Sequence, residues 1–131
     1  MPPGHRLRYL PDGGLEFLLE EPVLDCLLVG DQVTLRFGRT EVMLSDPFDL
    51  EVDGVGHHLD PRRPMTLAPL LDTIPGAARW LWASPDGALN LVFMQGQRLA
   101  APGPTVRNTW SVVGAGAPVA ETAASVVDPV E

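Results

Sequence analysis

Proline and glycine divide this chain into short segments. The 131 residues include 14 prolines and 13 glycines, more than ordinary usage, and several stand in turn-forming combinations such as Pro-Asp-Gly-Gly and Asp-Gly. Long helices and long strands need runs that contain neither residue. We therefore expect many turns and short strands, arranged in one domain because the length suits one hydrophobic core.

Two segments alternate apolar and polar residues, which is typical of a strand with one buried face. They are "VTLRF" at residues 33–37 and "LNLVF" at residues 89–93. Each is followed by a glycine-containing turn, a second strand and a proline. The sequence predicts two similar antiparallel β-meanders, packed as a sandwich or an open barrel. The alternative is that two unrelated hairpins share this pattern.

The segment between the meanders has a different apolar spacing. Apolar residues in 65–74 recur at intervals closer to those of a helix than of a strand. Pro69 fits the first turn of a helix that begins near Leu67, and the Pro-Gly pair at 75–76 would end it. We predict one short helix of about two turns and a mainly β fold of the α+β class.

Composition also predicts where the folded domain ends. Residues 115–131 contain neither an aromatic nor a basic residue and carry three acids. Such a segment has little apolar surface to bury. We predict a β-rich globular domain over residues 1–114 and a disordered acidic tail over 115–131.

The charge excludes some partners. The formal net charge is −8, and all nine basic residues are arginines without a basic stripe in the sequence. Nucleic acid and anionic membranes are poor partners for such a chain. One cysteine rules out an intrachain disulfide and a multi-cysteine metal site. Since the chain contains neither a long apolar span nor a signal-peptide pattern, we expect a soluble cytoplasmic protein.

The run His57-His58-Leu59-Asp60 is the candidate for chemistry. Neighbouring side chains of a strand point to opposite faces, whereas His58 and Asp60 would share one. That pair is the alternative metal site or acid–base site. The favoured interpretation is that Asp60 starts a turn and accepts backbone hydrogen bonds. With no nucleophile elbow, phosphate loop or dinucleotide fingerprint, we expect no catalytic residue, no metal and no cofactor.

Trp80 and Trp82 are the candidate partner-binding residues. In "ARWLW" they alternate with Leu81, so a strand would place both on one face. Tryptophan is enriched at the centres of protein interfaces. It also buries a large area, and the favoured interpretation places one of the two in the core.

The order of several short motifs resembles a known family. The motifs are "RYLPDGG", "VTLRF", "PFDLEVDGVGHHLDP", "LAPLL", "DGALNLVF" and "TWSVVG". They resemble the actinobacterial small proteins of the DUF6188 family over most of residues 6–114. The additional His57, the "DPRRP" run and the acidic tail depart from that pattern. The resemblance implies a β-rich domain with one helix and no established activity, and it assigns no catalytic residue.

We therefore expect a non-enzymatic module that binds an unknown protein partner, in an immunity-like or regulatory role. Open strand edges and an acidic surface would accept a partner strand or a basic face. The same edges would also allow a homodimer. The alternative is a metal-assisted or acid–base enzyme that uses the stretch from His57 to Asp60.

Overall fold

The computed structural model describes residues 5–73, 76–103, 109–114 and 119–121. Within them the chain is mainly β, with one 3-10 helix at Pro64–Thr73. The strands are β1 His5–Tyr9, β2 Leu15–Leu19, β3 Val23–Leu24, β4 Cys26–Val29, β5 Val33–Phe37, β6 Thr40–Leu44, β7 Phe48–Val52, β8 Val55–Leu59, β9 Gly76–Ala83, β10 Leu89–Phe93, β11 Arg98–Ala101, β12 Trp110–Gly114 and β13 Val119–Glu121.

These strands form two open antiparallel sheets, which confirms the predicted mainly β fold. The larger sheet has the order β1-β2-β9-β10-β11-β7-β8, and β3 also pairs with β9. The smaller has the order β13-β12-β6-β5-β4. The segments before and after the helix each contribute strands to both sheets. The two layers therefore do not correspond to the two predicted meanders.

The core lies between the inner faces of the sheets. The two alternating segments each bury their apolar residues in it. Phe17 of β2 and Trp110 of β12 meet edge to face, with ring centroids 6.3 Å apart. The indole Nε1 of Trp110 also donates a hydrogen bond to the carbonyl of Gly87 (3.0 Å). Fully buried side chains of this cluster include Leu24, Val33, Leu35, Phe37, Val42, Leu44, Phe48, Leu50, Leu59, Leu70, Leu89, Leu91 and Val112. Their burial is the main favourable term in folding.

The hairpin turns contain glycines. Asp53 and Gly54 both have positive φ (53° and 80°) and lie between the paired residues Val52 and Val55. These are the features of a two-residue type I′ hairpin turn, which an Asp-Gly pair favours. The β5–β6 hairpin also has a two-residue turn, which begins at Gly38.

The β10–β11 hairpin turns differently. Its loop closes where the Phe93 N–H donates to the carbonyl of Gln97 (2.9 Å), and Gly96 has a φ of 101°. This longer loop matches a three-residue connection that ends in a left-handed glycine. The two similar sequence patterns therefore both form hairpins, one in each sheet, but with different turns.

The helix differs from the prediction in its start and its type. It begins at Pro64 rather than near Leu67, and Pro69 lies inside it. Proline lacks an N–H, and the hydroxyls of Thr66 and Thr73 donate to carbonyls three residues earlier (2.8 and 2.6 Å), which suits the tighter 3-10 form. Among the described residues, no helical segment has the length and apolarity needed to cross a membrane.

The predicted boundary at residue 114 stays a prediction. The backbone of β13 lies in the segment 115–131 and pairs with β12. The remaining residues of that segment lie outside the described part of the chain.

His5 connects the two layers of the sandwich. It is buried in β1, shares a hydrogen bond between its Nδ1 and Thr40 Oγ1 of β6 (2.9 Å), and meets the edge of Phe17 at 5.7 Å. Burial lowers the pKa of His5 below its ordinary value, while the negative charge of Glu20 opposes this effect. The neutral imidazole is therefore the form that the fold accommodates.

This burial predicts a pH dependence of stability. Because the pKa of His5 is lower in the folded state, its contribution is complete above the unfolded value near 6.5 and is lost as the pH falls through the folded value. Between pH 7 and pH 5 the melting temperature should fall more for the wild type than for His5→Gln. Equal profiles for the wild type and His5→Gln would contradict this assignment.

The type I′ turn predicts a contrast between two nearby glycines. A Cβ added to Gly54 or Gly56 would touch nothing within 4 Å, but only Gly54 has positive φ. Gly54→Ala should therefore cost about 1–2 kcal/mol of unfolding free energy through backbone strain. Gly56→Ala lies in β8 and should be neutral or slightly stabilising. Urea denaturation measures both, and equal losses would rule out the turn type.

Candidate binding face

The outward face of the larger sheet collects polar and aromatic side chains from strands far apart in sequence. Strand alternation and the pairing registers place them in two rows across the sheet. We call this surface the tryptophan face. Its residues are Arg6, Arg8, Glu16, Leu18, Asp49, Glu51, Gly56, His58, Trp80, Trp82, Asn90, Val92, Arg98 and Ala100.

Trp80 and Trp82 lie together near the middle of this face. Trp80 is 48% exposed, Trp82 is half-buried, and their rings meet edge to face with centroids 6.4 Å apart. The expectation that one of them belongs to the core is wrong, because β9 turns Leu81 and Ala83 inward and the alternation leaves both indoles outside. The buried tryptophan of the core is Trp110.

A bulge in β9 brings a cation to the same face. Val92 of β10 pairs with Trp80, but the next residue, Phe93, pairs with Ala78. Arg79 is thus the additional residue of an irregular step. Its guanidinium carbon lies over the Trp80 ring, 4.8 Å from the centroid, within the range of a cation–π contact.

A second arginine borders the tryptophans from the other side. The Arg8 Nε and Nη2 groups both donate to Oε1 of Glu16, with a distance of 3.1 Å for the Nε contact. The Glu16 side chain is 10% exposed. Together with Leu10 and both tryptophans, this ion pair lines an open cavity of about 350 Å³, which has room for one or two side chains of a partner.

A depression that contains two acidic residues lies on the other side of Trp82. This second depression, also about 350 Å³, extends from Trp82 and Asn90 to the acidic pair Asp49 and Glu51. Arg98 lies directly opposite Glu51 in the β11–β7 pairing. Trp82 therefore lies between one depression that contains the Arg8–Glu16 ion pair and another that contains Asp49, Glu51 and Arg98.

The two histidines of the candidate run separate as the alternation predicts. His57 stands opposite the buried Leu50 and is half-buried, whereas His58 stands opposite Asp49 on the outer face. The Nδ1 of His58 bonds the Oδ1 of Asp49 at 2.8 Å, and both side chains are about two thirds exposed. His58 therefore has a carboxylate partner other than Asp60.

Asp60 forms the turn that the favoured interpretation assigns to it. Its Oδ1 accepts the backbone N–H of Arg62 (3.0 Å), and its own N–H donates to the Thr66 hydroxyl (2.8 Å). The side chains of Arg62 and Arg63 lie 3.7 and 3.9 Å from the same carboxylate. These contacts join β8 to the helix.

The exposed groups of the tryptophan face are aromatic rings, guanidiniums, carboxylates and one imidazole. Within the described ranges, no group of three or more His, Cys, Asp or Glu side chains is placed to hold a metal ion. The Asp49–His58 pair lies in the open, where ion pairs contribute little. Aromatic residues and arginine are the residue types enriched at protein interfaces.

Sequence reasoning missed several of these residues. Counting outward from the Asp53-Gly54 turn pairs residue 49 with residue 58, so the Asp49–His58 contact has a signal in the sequence. The proximity of Arg8 and Glu16 to Trp82 has no signal in the sequence, because it depends on the pairing of β2 with β9.

Comparison with known proteins adds a family. Residues 16–124 match the model of DUF6188, a family of unknown function. The chain belongs to the DUF6188 family. The match includes both tryptophans and Arg79 but begins after β1, which carries Arg6 and Arg8. Neither a curated protein nor a solved structure matches the chain.

The separation of His58 from Asp60 leads to a prediction for zinc. One exposed imidazole and one carboxylate fall short of the three or four ligands of a zinc site. In calorimetry, the binding heat of the wild type should therefore equal that of His58→Ala. A stoichiometric binding curve that His58→Ala abolishes would instead establish a metal site at the Asp49–His58 pair.

Proposed function

We propose that this chain is a non-enzymatic protein-binding module whose contact surface is the tryptophan face. The observation that supports this proposal is the exposed pair of Trp80 and Trp82, which meet edge to face on the outer surface of a sheet. Single exposed apolar residues are common on proteins and need no explanation. Two adjacent tryptophans with flanking guanidiniums match the composition of interface hot spots.

The rigidity of the face supports the same proposal. β9, which holds both tryptophans, pairs with β2 and β3 along one side and with β10 along the other. A side chain that is already held in place loses less conformational entropy when a partner binds. The ion pair of Arg8 with Glu16 also orients one wall of the cavity beside the rings.

An immunity-like or regulatory role is the specific form of this proposal, in which the face covers one target and blocks it. The small size of the chain and its net charge of −8 favour a basic target. Self-association is the competing use of an exposed surface. The edge strand β4 exposes about half of Leu28 and Val29, and unpaired edges of this kind accept a second strand.

Affinity capture with a matched set of variants tests the proposal. The full chain, immobilised, is incubated with extract of the host, and retained proteins are identified by mass spectrometry. Trp80→Ala with Trp82→Ala should reduce the affinity for the specific partner by roughly 30-fold or more, as loss of hot spots does. Met65→Ala removes a side chain that is 92% exposed on the helix and should retain the partner.

Two further measurements make the capture decisive. Melting temperatures of all variants show whether each is folded, and sedimentation of the protein alone measures self-association. A partner retained equally by the tryptophan variant would place the contact elsewhere. If the folded wild type retains no specific protein, the proposal fails.

A further inference from the structure

We propose, on the basis of the protein-binding role above, that the tryptophan face takes an extended segment of its partner with an acidic residue at one end, an apolar residue in the middle and a basic residue at the other end. The inference rests on the division of charge across this face. We call Arg6, Arg8 and Arg79 the basic end, and Asp49 with Glu51 the acidic end.

The basic end concentrates positive charge in a chain whose net charge is negative. It holds three of the nine basic residues, although the net charge of the chain is −8. All three arginines are exposed. The one carboxylate of the face at this end, Glu16, is mostly buried and already bonded to Arg8. The basic end therefore presents net positive charge to a partner, and guanidiniums bind carboxylates well.

The acidic end lies on the far side of Trp82. Asp49 and Glu51 alternate on β7, so both point outward, and both are exposed. Each has one ionisable neighbour across the strands, His58 for Asp49 and Arg98 for Glu51. Two carboxylates outnumber the one guanidinium, so the formal charge of this end is negative by the convention that counts histidine as neutral at pH 7.

The strand order sets the distance between the two ends. β1 is two strands from β9, and β9 is three strands from β7. With strands about 4.8 Å apart, Arg6 and Arg8 on β1 lie about 24 Å from β7 and Arg79 on β9 lies about 14 Å from it, distances that extended segments of about seven and four residues span. The cavity lined by Leu10, Trp80 and Trp82 also includes Arg8 and Glu16, so it adjoins the basic end, and its lining is mostly apolar. An apolar side chain between the acidic and the basic residue of the segment fits there.

This division of charge also selects against other ligands. A uniformly acidic partner, nucleic acid included, would meet like charge at Asp49 and Glu51. A uniformly basic one would meet like charge at the three arginines. Since like charges placed together across an interface cost affinity, the face favours a segment with both charges in a fixed order.

Peptide selection with neutralised variants tests the inference. A displayed library of random peptides about twelve residues long, enough to cross the face, is selected on four proteins. They are the wild type, Trp80→Ala with Trp82→Ala, Arg6→Gln with Arg79→Gln, and Asp49→Asn with Glu51→Gln. The arginine variant leaves Arg8 and its bond to Glu16 intact, and each protein is confirmed as folded by its melting temperature.

Wild-type binders should require the tryptophans and carry acidic residues in one half and basic residues in the other. The acid-neutralised variant should lose the preference for basic residues, and the arginine variant the preference for acidic ones. A peptide selected on the wild type should bind either neutralised variant roughly fivefold more weakly at low salt, and the difference should shrink at high salt.

The outcomes separate this inference from the proposed function. Binders that need the tryptophans but show no order of charge would overturn the inference and leave the protein-binding role standing. Uniformly charged binders would overturn it as well. If no binder depends on the tryptophans, the binding role of this face falls together with the inference.

Discussion

Burial of one face of each sheet against the other determines where every strand side chain points. In β9 the inward positions belong to Leu81 and Ala83, so the residues between and before them must face solvent. They are Trp80 and Trp82, two of the largest apolar side chains in the chain. A fold that needed only stability would place polar residues there, and local choices that oppose stability often mark sites of function. The core thus forces the tryptophans outward, and the recognition role proposed above would use them there.

Patterns of neighbouring residues predicted those strands and turns that depend mainly on interactions between residues close together in the sequence. The alternation in 33–37 and 89–93 predicted two strands whose alternate apolar residues, Val33, Leu35 and Phe37 in one and Leu89, Leu91 and Phe93 in the other, are buried, and the Asp-Gly pair at 53–54 forms a turn. The helix was predicted in position but not in type, because hydrogen bonding around Pro64 and Pro69 cannot be read from apolar spacing. Strand order was beyond such patterns. It depends on which strands meet across the sandwich, and the segments before and after the helix both cross between the sheets.

In the candidate site, too, contacts within one strand followed from the sequence, whereas contacts between strands did not. The shared face of Trp80 and Trp82 follows from spacing within one strand, and spacing alone also suggested His58 with Asp60. In the structure, however, His58 bonds Asp49, its neighbour across the hairpin. In antiparallel sheets, the directly opposite residue is the closest side-chain neighbour. A hairpin with a known turn therefore predicts contacts better than positions along one strand do.

The bulge at Arg79 changes which residues of β9 point toward the core and which point outward. In a regular strand with Leu81 and Ala83 inside, residue 79 would also point inward, and the core would have to hold a guanidinium. The one additional residue instead lets Ala78 fill the inner position opposite Phe93 and turns Arg79 outward. Two consecutive residues, an arginine and a tryptophan, can then share one face, which a regular strand does not allow. An insertion of a single residue in a strand can thus build a composite cation and aromatic surface without any change to the layers beneath it.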